Sequence, residues 1–393
     1  MPGRVALMLS PGLLQHAVER LPRGVVFVTG SNGKSTTTHM LVEIVRAHGV
    51  SVFSNPTGGN LPQGIASSVI ASCGANGRID ADIAILEVDE AYAPGLAHHL
   101  RPRMSLLLNI QVDQLNRFYE PERVADMLRD LAGLTSDHLI LNADDDYIHR
   151  IGEQIPRRRT WFGVAPDVRA AAPHGLANVD IIGEPEVAVD TAVSVTAVQG
   201  RQAVLSIQGE VTTIELPSRG LHYAVDAAAA TAAAAAVLGT DLEPAKVAHA
   251  FASLTTVYGR GEVITHEGEE IEIIMMKNPP SLQMNLDYLG DVPEQVFMAI
   301  DEGTPDPSWL YGIDFSNLRQ VQYITGTKAW QLATCLSYQN VKVGVVEPDL
   351  ATALAAFLAL PKPARGQKTM IVNYEQMMFI RRLLDLPDLE GDK

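Results

Sequence analysis

Cysteine is scarce in this chain of 393 residues, which has two, Cys73 and Cys335. They lie too far apart in sequence to form a metal knuckle and are too few for a disulfide framework, which fits a reducing, cytoplasmic setting. Basic residues are also few. Thirty Lys and Arg stand against 46 Asp and Glu, a formal net charge of −16, so the basic surface that neutralises a nucleic-acid backbone is missing. An anionic ligand has to be met by a local site. No apolar run approaches the roughly 18 residues that mark a membrane span. The opening Met1-Pro-Gly-Arg-Val-Ala-Leu-Met-Leu-Ser10 has the arginine and short apolar stretch of a signal sequence, but it continues into Gln15, His16, Glu19 and Arg20. That continuation reads as a helix, a lead-in over residues 1–24. With 47 % apolar and 19 % charged residues, the chain is long enough for two or three domains, each with its own core.

The most informative stretch is Val25-Val-Phe-Val-Thr-Gly-Ser-Asn-Gly-Lys-Ser-Thr-Thr-Thr38, an apolar β-branched run that opens into a glycine-lysine-hydroxyl turn and then a helical segment. Gly30 and Gly33 let the backbone pass close to a polyphosphate. Lys34 supplies a point charge, and Ser35 or Thr36 a hydroxyl for Mg2+. The plain alternative is an ordinary strand-turn-helix junction, against which Gly-Lys-Ser-Thr after Val-Val-Phe-Val speaks. The spacing is shorter than in the longer phosphate loop, which has a glycine where this chain has Val28.

Residues 37–48 read as a helix ended by Gly49, followed by a short strand at Val50-Ser-Val-Phe53, and this alternation suggests βαβ. The loop Asn55-Pro-Thr-Gly-Gly-Asn-Leu-Pro-Gln-Gly64 lies where a doubly wound sheet meets substrate or phosphate, or it is only a connector. Ala81-Asp-Ile-Ala-Ile-Leu-Glu-Val-Asp-Glu90 is a buried strand that delivers Glu87, Asp89 and Glu90 at its end. Glu87 is the best placed for Mg2+, unless the acids are a solvated strand end. Met104–Ile110 and His138–Asp146 repeat the pattern of an apolar strand that spills into polar groups. Strands and helices alternating over residues 25–165 imply a mainly parallel sheet covered on both faces. Residues 166–217 look like a small antiparallel addition, with turns at Val198-Gln-Gly-Arg201 and Ile207-Gln-Gly-Glu210. The alanine-rich segment from Val225 to Leu238 suits close helix packing. After a junction at Val257-Tyr-Gly-Arg-Gly-Glu-Val263, strands near 271–276, 295–300, 322–325, 342–346 and 368–373 suggest a separate, smaller α/β domain over 258–393, with the last two strands closing its sheet.

Thr29-Gly-Ser-Asn-Gly-Lys-Ser-Thr36 resembles the shortened phosphate loop of the Mur ligases, which use ATP to activate a carboxylate as an acyl phosphate. Asn55–Gly64, Leu86-Glu-Val-Asp-Glu90, Asp113-Gln-Leu-Asn-Arg117, Leu141-Asn-Ala-Asp144, Gly259-Arg-Gly-Glu262, Lys277-Asn-Pro279 and Ser308-Trp309 together look like the MurT branch of that family. The resemblance implies a central P-loop, doubly wound ATP-binding domain over 25–257 and a Rossmann-like C-terminal domain. It implies that ATP lies on Gly30, Asn32, Gly33, Lys34, Ser35 and Thr36, with Mg2+ on Ser35 and Glu87. Arg260 and Asp301 would reach the nucleotide from the junction and second domain. It further implies amidation of the D-glutamate of lipid II in the cytoplasm, at the inner membrane face through that substrate, with ammonia from a GatD-like glutaminase partner. Lys34 and Glu87 would serve the phosphoryl transfer. Asp306 would orient the partner's histidine, unless it is only an exposed loop aspartate between Pro305 and Pro307.

The chain departs from that pattern in several places. The region from Gly163 to Pro173 has no cysteine, so the zinc ribbon of many relatives is not expected. Ile300-Asp-Glu-Gly-Thr-Pro305 is shorter than the family's acidic loop. Asp226, in Gly220-Leu-His-Tyr-Ala-Val-Asp226, stands where Mur ligases usually face adenine with asparagine; a carboxylate only accepts, and nearby Tyr223 is a poor geometric substitute. Gln114 replaces the histidine of the peptide-adding ligases but agrees with MurT. Neither Cys73 nor Cys335 sits in a nucleophile elbow, so nitrogen comes from a partner or free ammonia. Two other readings stay open: a Mur-type ligase that joins an amino acid or amidates a different acid, and a nucleotide-binding scaffold without catalysis, against which the intact Lys34, Ser35 and Glu87 stand.

Overall fold

Four consecutive β-branched or aromatic residues, Val25 to Val28, form the heart of strand β1 (Val25–Thr29), which is buried at every position. A strand apolar on both faces needs cover on both, and that requirement organises the first sheet. The structure, a computed structural model, describes residues 2–56, 58–111, 121–176, 189–254, 260–289 and 292–386. The expected motif Asp113–Arg117 with Gln114, and most of the junction before Arg260, lie outside them. The chain divides into two compact units, Met1–Pro217 with Leu221–Thr255, and Ser218–Gly220 with Thr256–Lys393.

In the first unit, β1 is followed by β2 (Val52–Ser54), β3 (Ile83–Glu87), β4 (Met104–Leu107), β5 (His138–Asn142), β6 (Arg158–Val164), β7 (Val193–Gln199), β8 (Gln202–Ile207) and β9 (Glu210–Glu215). They form one nine-stranded sheet in the order β2-β3-β1-β4-β5-β6-β7-β8-β9. Pairing is parallel as far as β7, then antiparallel from β7 through β9. The antiparallel addition therefore continues the main sheet and starts at Val193, while Pro166–Ala170 is a short helix.

One face of the sheet is covered by the helices Leu13–Val18, Pro62–Ser72, Ala93–Leu100, Pro121–Leu134 and Asp146–Gln154, whose Leu14, Ile65, Leu96, Leu128 and Ile151 share a core with Phe27, Leu86 and Leu141. The helices Lys34–Ala47 and Leu221–Leu238 pack on each other, and the second lies along β5 to β8. Ten of the 18 residues of Leu221–Leu238 are alanine, and small side chains let its axis approach the sheet closely. By length and composition it could cross a membrane, but 83 % of its apolar window is buried inside the fold. The helix after the phosphate loop begins at Lys34 rather than Thr37 and ends at Ala47, because left-handed Gly33 closes the loop and caps the helix.

The second unit has β10 (Arg260–His266), β11 (Glu269–Met275), β12 (Val296–Ala299), β13 (Gln320–Thr325), β14 (Lys342–Val346) and β15 (Lys368–Val372). Their order is β10-β11-β15-β12-β13-β14, parallel except for the β10-β11 hairpin. Successive residues of β12 enter opposite cores, Val296 and Met298 in one and Phe297 and Ala299 in the other, as a covered parallel strand requires. The last strand differs from the expectation that it closes the sheet. β15 is central, between β11 and β12, and buried throughout, whereas the edge strand β14 is largely exposed.

Candidate functional site

Strand order in the first unit reverses around β1, so the loops that leave β1, β3 and β4 share one edge of the sheet, the usual place for ligands in such folds. The loop after β1 holds both expected glycines in backbone geometry that favours glycine. Gly30 has φ +144°, and a Cβ there would stand 2.9 Å from the Leu108 side chain and 3.0 Å from the Asn109 nitrogen. Gly33 has φ +83°, and a Cβ would stand 2.3 Å from Asp226 Oδ1. Between them the loop is stapled to the segment that leaves β4. The Ser31 N–H donates to the Asn109 carbonyl (3.0 Å), the Asn32 N–H to Asn109 Oδ1 (2.9 Å) and Asn32 Nδ2 to Gln111 Oε1 (2.7 Å).

Lys34 opens the helix and is 9 % exposed. Its ammonium donates to the Gly30 carbonyl at 2.5 Å and to Glu90 Oε2 at 2.9 Å. Glu90 is 2 % exposed, so the charge pair is screened little by solvent. Ser35 and Thr36 are buried in the same first turn. The helix N-terminus, the lysine and these hydroxyls form the chemistry of a phosphate cradle. The Thr29 hydroxyl, which leads into the loop, is buried with no hydrogen-bond partner among the described residues. These features fit a bound nucleotide.

Glu87 ends β3 in register with Val28 of β1. Its Oε1 accepts a hydrogen bond from Asn60 Nδ2 at 3.0 Å, and Asn55 bonds both its N–H and its carbonyl at 3.0 Å. The loop expected to contact substrate or merely connect therefore also braces this carboxylate. Among the described residues no three His, Cys, Asp or Glu side chains converge on one point. A divalent cation here would have few protein oxygens and would need phosphate to complete its shell, a manner that suits Mg2+.

A further layer holds the β4 exit. Asn142 Nδ2 donates to the Leu108 carbonyl at 2.7 Å, while Asp145 accepts from Ile110 N–H at 2.7 Å and Ile148 N–H at 3.0 Å. Full burial pushes the Asp145 carboxyl up to about 7, and the two N–H donors only moderate that rise. Burial likewise lifts Asp144 to about 6, against the Val164 N–H and Arg169. Asn142 and Asp144 belong to the Leu141-Asn-Ala-Asp144 motif; Asn142 holds the segment that holds the phosphate loop, while Asp144 ties the end of β6 through the Val164 N–H. Asn109, Gln111, Asn60 and Asp145 were not singled out from sequence. Each acts on a backbone or side chain far along the chain, so no local spacing marks it.

Asp226, in the helix Leu221–Leu238, packs its carboxylate on Gly33 and is 7 % exposed. Cys335 is buried, and burial raises its thiol, which disfavours a thiolate.

The remaining expected residues belong to the second unit. Arg260 begins β10, with its side chain outside the described residues. A bulge follows it, and Glu262 is gripped through both oxygens by buried Arg381 Nη1 at 2.9 and 2.8 Å. Asp301, at the exit of β12, accepts from Gln376 Nε2 at 2.6 Å and Asn373 Nδ2 at 2.8 Å. Burial pushes its carboxyl up, but these hydrogen bonds outweigh burial and hold it below the ordinary value. Asp306 is exposed and caps the turn Pro307–Gly312, accepting from Ser308 N–H at 2.9 Å; that bond lowers its pKa.

Comparison with known proteins adds to this geometry. The family model for the Mur ligase middle domain matches residues 28–234, and that for the MurT ligase C-terminal domain matches residues 275–377. The lipid II isoglutaminyl synthase (glutamine-hydrolyzing) subunit MurT of Staphylococcus aureus strain COL is 24 % identical over 410 aligned positions, covering 96 % of this chain and 90 % of that protein. The MurT subunit of Streptococcus pneumoniae strain R6 is 24 % identical over 81 % of this chain and 76 % of its own length. Among solved structures, MurF of Acinetobacter baumannii superposes with TM-score 0.72 at 17 % identity, over 99 % of this chain and 81 % of that one. MurF of Thermotoga maritima, solved with ADP, gives 0.68 at 18 % identity, over 98 % and 83 %.

Proposed function

Because the chain belongs to the Mur ligase family and is MurT-like along most of its length, we propose that it is the synthetase subunit of an amidotransferase, which amidates the D-glutamate α-carboxylate of lipid II with ammonia from a GatD-like glutaminase. What carries this reading is the pairing, in one chain, of the Gly30–Thr36 phosphate cradle with a C-terminal region of the MurT type. The reaction takes place in the cytoplasm, at the membrane face where the lipid-linked acceptor is presented.

In this mechanism the backbone around Gly30, Asn32 and Gly33, with Ser35 and Thr36, cradles ATP. Lys34 exchanges the Glu90 carboxylate for the β- and γ-phosphates. Ser35 and Glu87 would hold Mg2+, which would supply charge neutralisation there. The acceptor carboxylate attacks the γ-phosphorus and ADP departs, a step that needs alignment and neutralised charge more than a base. Ammonia then attacks the acyl carbon of the acyl phosphate. The C–N bond forms, the C–O bond to phosphate breaks, and inorganic phosphate and a proton leave. The resemblance also assigns Arg260 and Asp301 to nucleotide binding. Asp226 lies against Gly33 of the cradle, and its carboxylate only accepts, so a contact with adenine there would differ from that of the asparagine of the peptide-adding ligases. Asp306 enters the partner's site and orients its histidine.

The test is phosphate release from ATP by the purified chain with lipid II, alone, with ammonium, and with a co-purified glutaminase plus glutamine. Turnover that requires lipid II, yields the amide by mass and vanishes in Lys34→Ala supports the proposal. If lipid II is ignored while another carboxylic acid sustains turnover, the substrate assignment fails and the ligase assignment survives.

A further inference from the structure

The turn Thr325-Gly-Thr-Lys328 follows β13 and leads into the helix Ala329–Tyr338. Gly326 has φ +95°, and a Cβ there would stand 2.2 Å from the Ile300 carbonyl oxygen, so this turn lies directly on the backbone that leaves the neighbouring strand β12. Lys328 is 7 % exposed. Its ammonium donates to the Thr304 carbonyl at 2.7 Å and the Pro305 carbonyl at 2.6 Å, and pairs with Glu302 at 3.2 Å. Two of the three N–H donors of the ammonium are thus taken by consecutive carbonyls of one short loop, and the charge is met by Glu302 from the same loop.

The same loop is fastened at its start. Asp301 is held by Asn373 and Gln376, and Asn373 Nδ2 also reaches Thr304 Oγ1 at 3.3 Å. The backbone is thus pinned at residues 301, 304 and 305, and the next side chain is the exposed Asp306, flanked by Pro305 and Pro307. Two prolines restrict the torsions on either side. The Ser308 N–H fixes one carboxylate oxygen. A buried lysine is costly to desolvate, and spending it on two backbone carbonyls of the loop just before an exposed acid points to a need to fix that acid's placement.

We propose that Lys328 is a positioning residue that holds Asp306 in place for its reach into the glutaminase partner. The proposal rests on the role given to Asp306 above. Through space, the Lys328 charge also favours the ionised form of both Asp301 and Asp306.

The test uses the complex with a co-purified glutaminase and compares turnover driven by glutamine with turnover driven by ammonium, both with lipid II and ATP. In Lys328→Met the glutamine-to-ammonium ratio falls about tenfold or more, the scale of a misplaced catalytic group. Lys328→Gln, which keeps donors for one carbonyl, gives a smaller fall. The double variant Lys328→Met with Asp306→Ala is no worse in glutamine-driven turnover than Asp306→Ala alone, because the two residues act as one unit. A Lys328→Met variant that loses both activities in parallel, or a double variant with additive losses, overturns the proposal and leaves the role of Asp306 standing. An Asp306→Ala variant with undiminished glutamine-driven turnover overturns both.

Discussion

Gly33→Ala tests the phosphate loop where geometry is most demanding. Two costs are legible. At φ +83° an L-residue takes the left-handed region, at about 1–2 kcal/mol. The new methyl would also stand 2.3 Å from Asp226 Oδ1, 3.0 Å from its Cγ and 3.1 Å from Oδ2, so the buried carboxylate must move. Overpacking of that kind costs about 1–3 kcal/mol. The expected loss of unfolding free energy in urea is therefore about 2–5 kcal/mol. In an Asp226→Ala background the clash disappears and only the backbone cost remains. A double-mutant cycle thus shows a coupling of about 1–3 kcal/mol, with the cost of Asp226→Ala itself cancelled. ATP affinity, measured by calorimetry, falls at least about tenfold if only 1.4 kcal/mol of the distortion must be undone on binding. A Gly33→Ala protein within about 0.5 kcal/mol of the parent, or the same penalty in both backgrounds, refutes the placement of Asp226 on the loop.

Two further outcomes follow from the charges of the first unit. Glu90→Gln leaves Lys34 an acceptor but no opposite charge, so stability in urea falls by about 3 kcal/mol, the low end of the cost of breaking a buried pair. ATP binds more tightly, by about tenfold, because phosphate no longer competes with a carboxylate for the ammonium; weaker ATP binding in calorimetry would show that Glu90 helps to hold the nucleotide. Asp145 has a folded-state pKa of about 7 against an ordinary 3.8, so the folded protein holds the proton over that window. Its contribution is fully present below pH 4 and is lost as pH rises through about 7, with up to about 4 kcal/mol at stake. The stability advantage of the parent over Asp145→Asn, measured by urea titration across that range, should shrink as pH rises; an advantage that grows with pH would mean the carboxylate is ionised in the fold.

The cradle was legible in the sequence because its chemistry is local. Backbone freedom at Gly30 and Gly33, the Lys34 charge and the hydroxyls of Ser35 and Thr36 lie within seven consecutive residues, and the resemblance to Mur ligases agrees with the family match over residues 28–234. Glu87 was legible as an acid at the C-terminal end of an apolar strand, although β3 is Ile83–Glu87 rather than the expected Ala81–Glu90. The bracing residues were not. Asn109 acts on Asn32, 77 positions away, and Asn60 on Glu87, 27 positions away. An asparagine in a polar loop looks the same whether it meets water or a distant carboxylate. The central place of β15 was hidden by chain order, although its uninterrupted Met370-Ile-Val372 burial, in contrast to the largely exposed β14, is the mark of an interior strand.

On the roles proposed for the phosphate loop and for Asp306, the two units solve one physical problem in the same way. A side chain that must meet a ligand or partner cannot be locked by packing alone, because it has to stay accessible; the backbone beneath it must be locked instead. In the first unit Asn142 and Asp145 hold residues 108–110, and Asn109 and Gln111 in turn hold Ser31 and Asn32. In the second, Asn373, Gln376 and Lys328 hold residues 301–305 below Asp306. In each case the brace comes from the exit of another strand of the sheet, so the fixed frame is the β-ladder and the tie is a buried polar group. Such ties are strong while every member is satisfied and costly once one is lost. Substitutions at Asn109, Asn142 or Lys328 should therefore impair chemistry at residues they never touch.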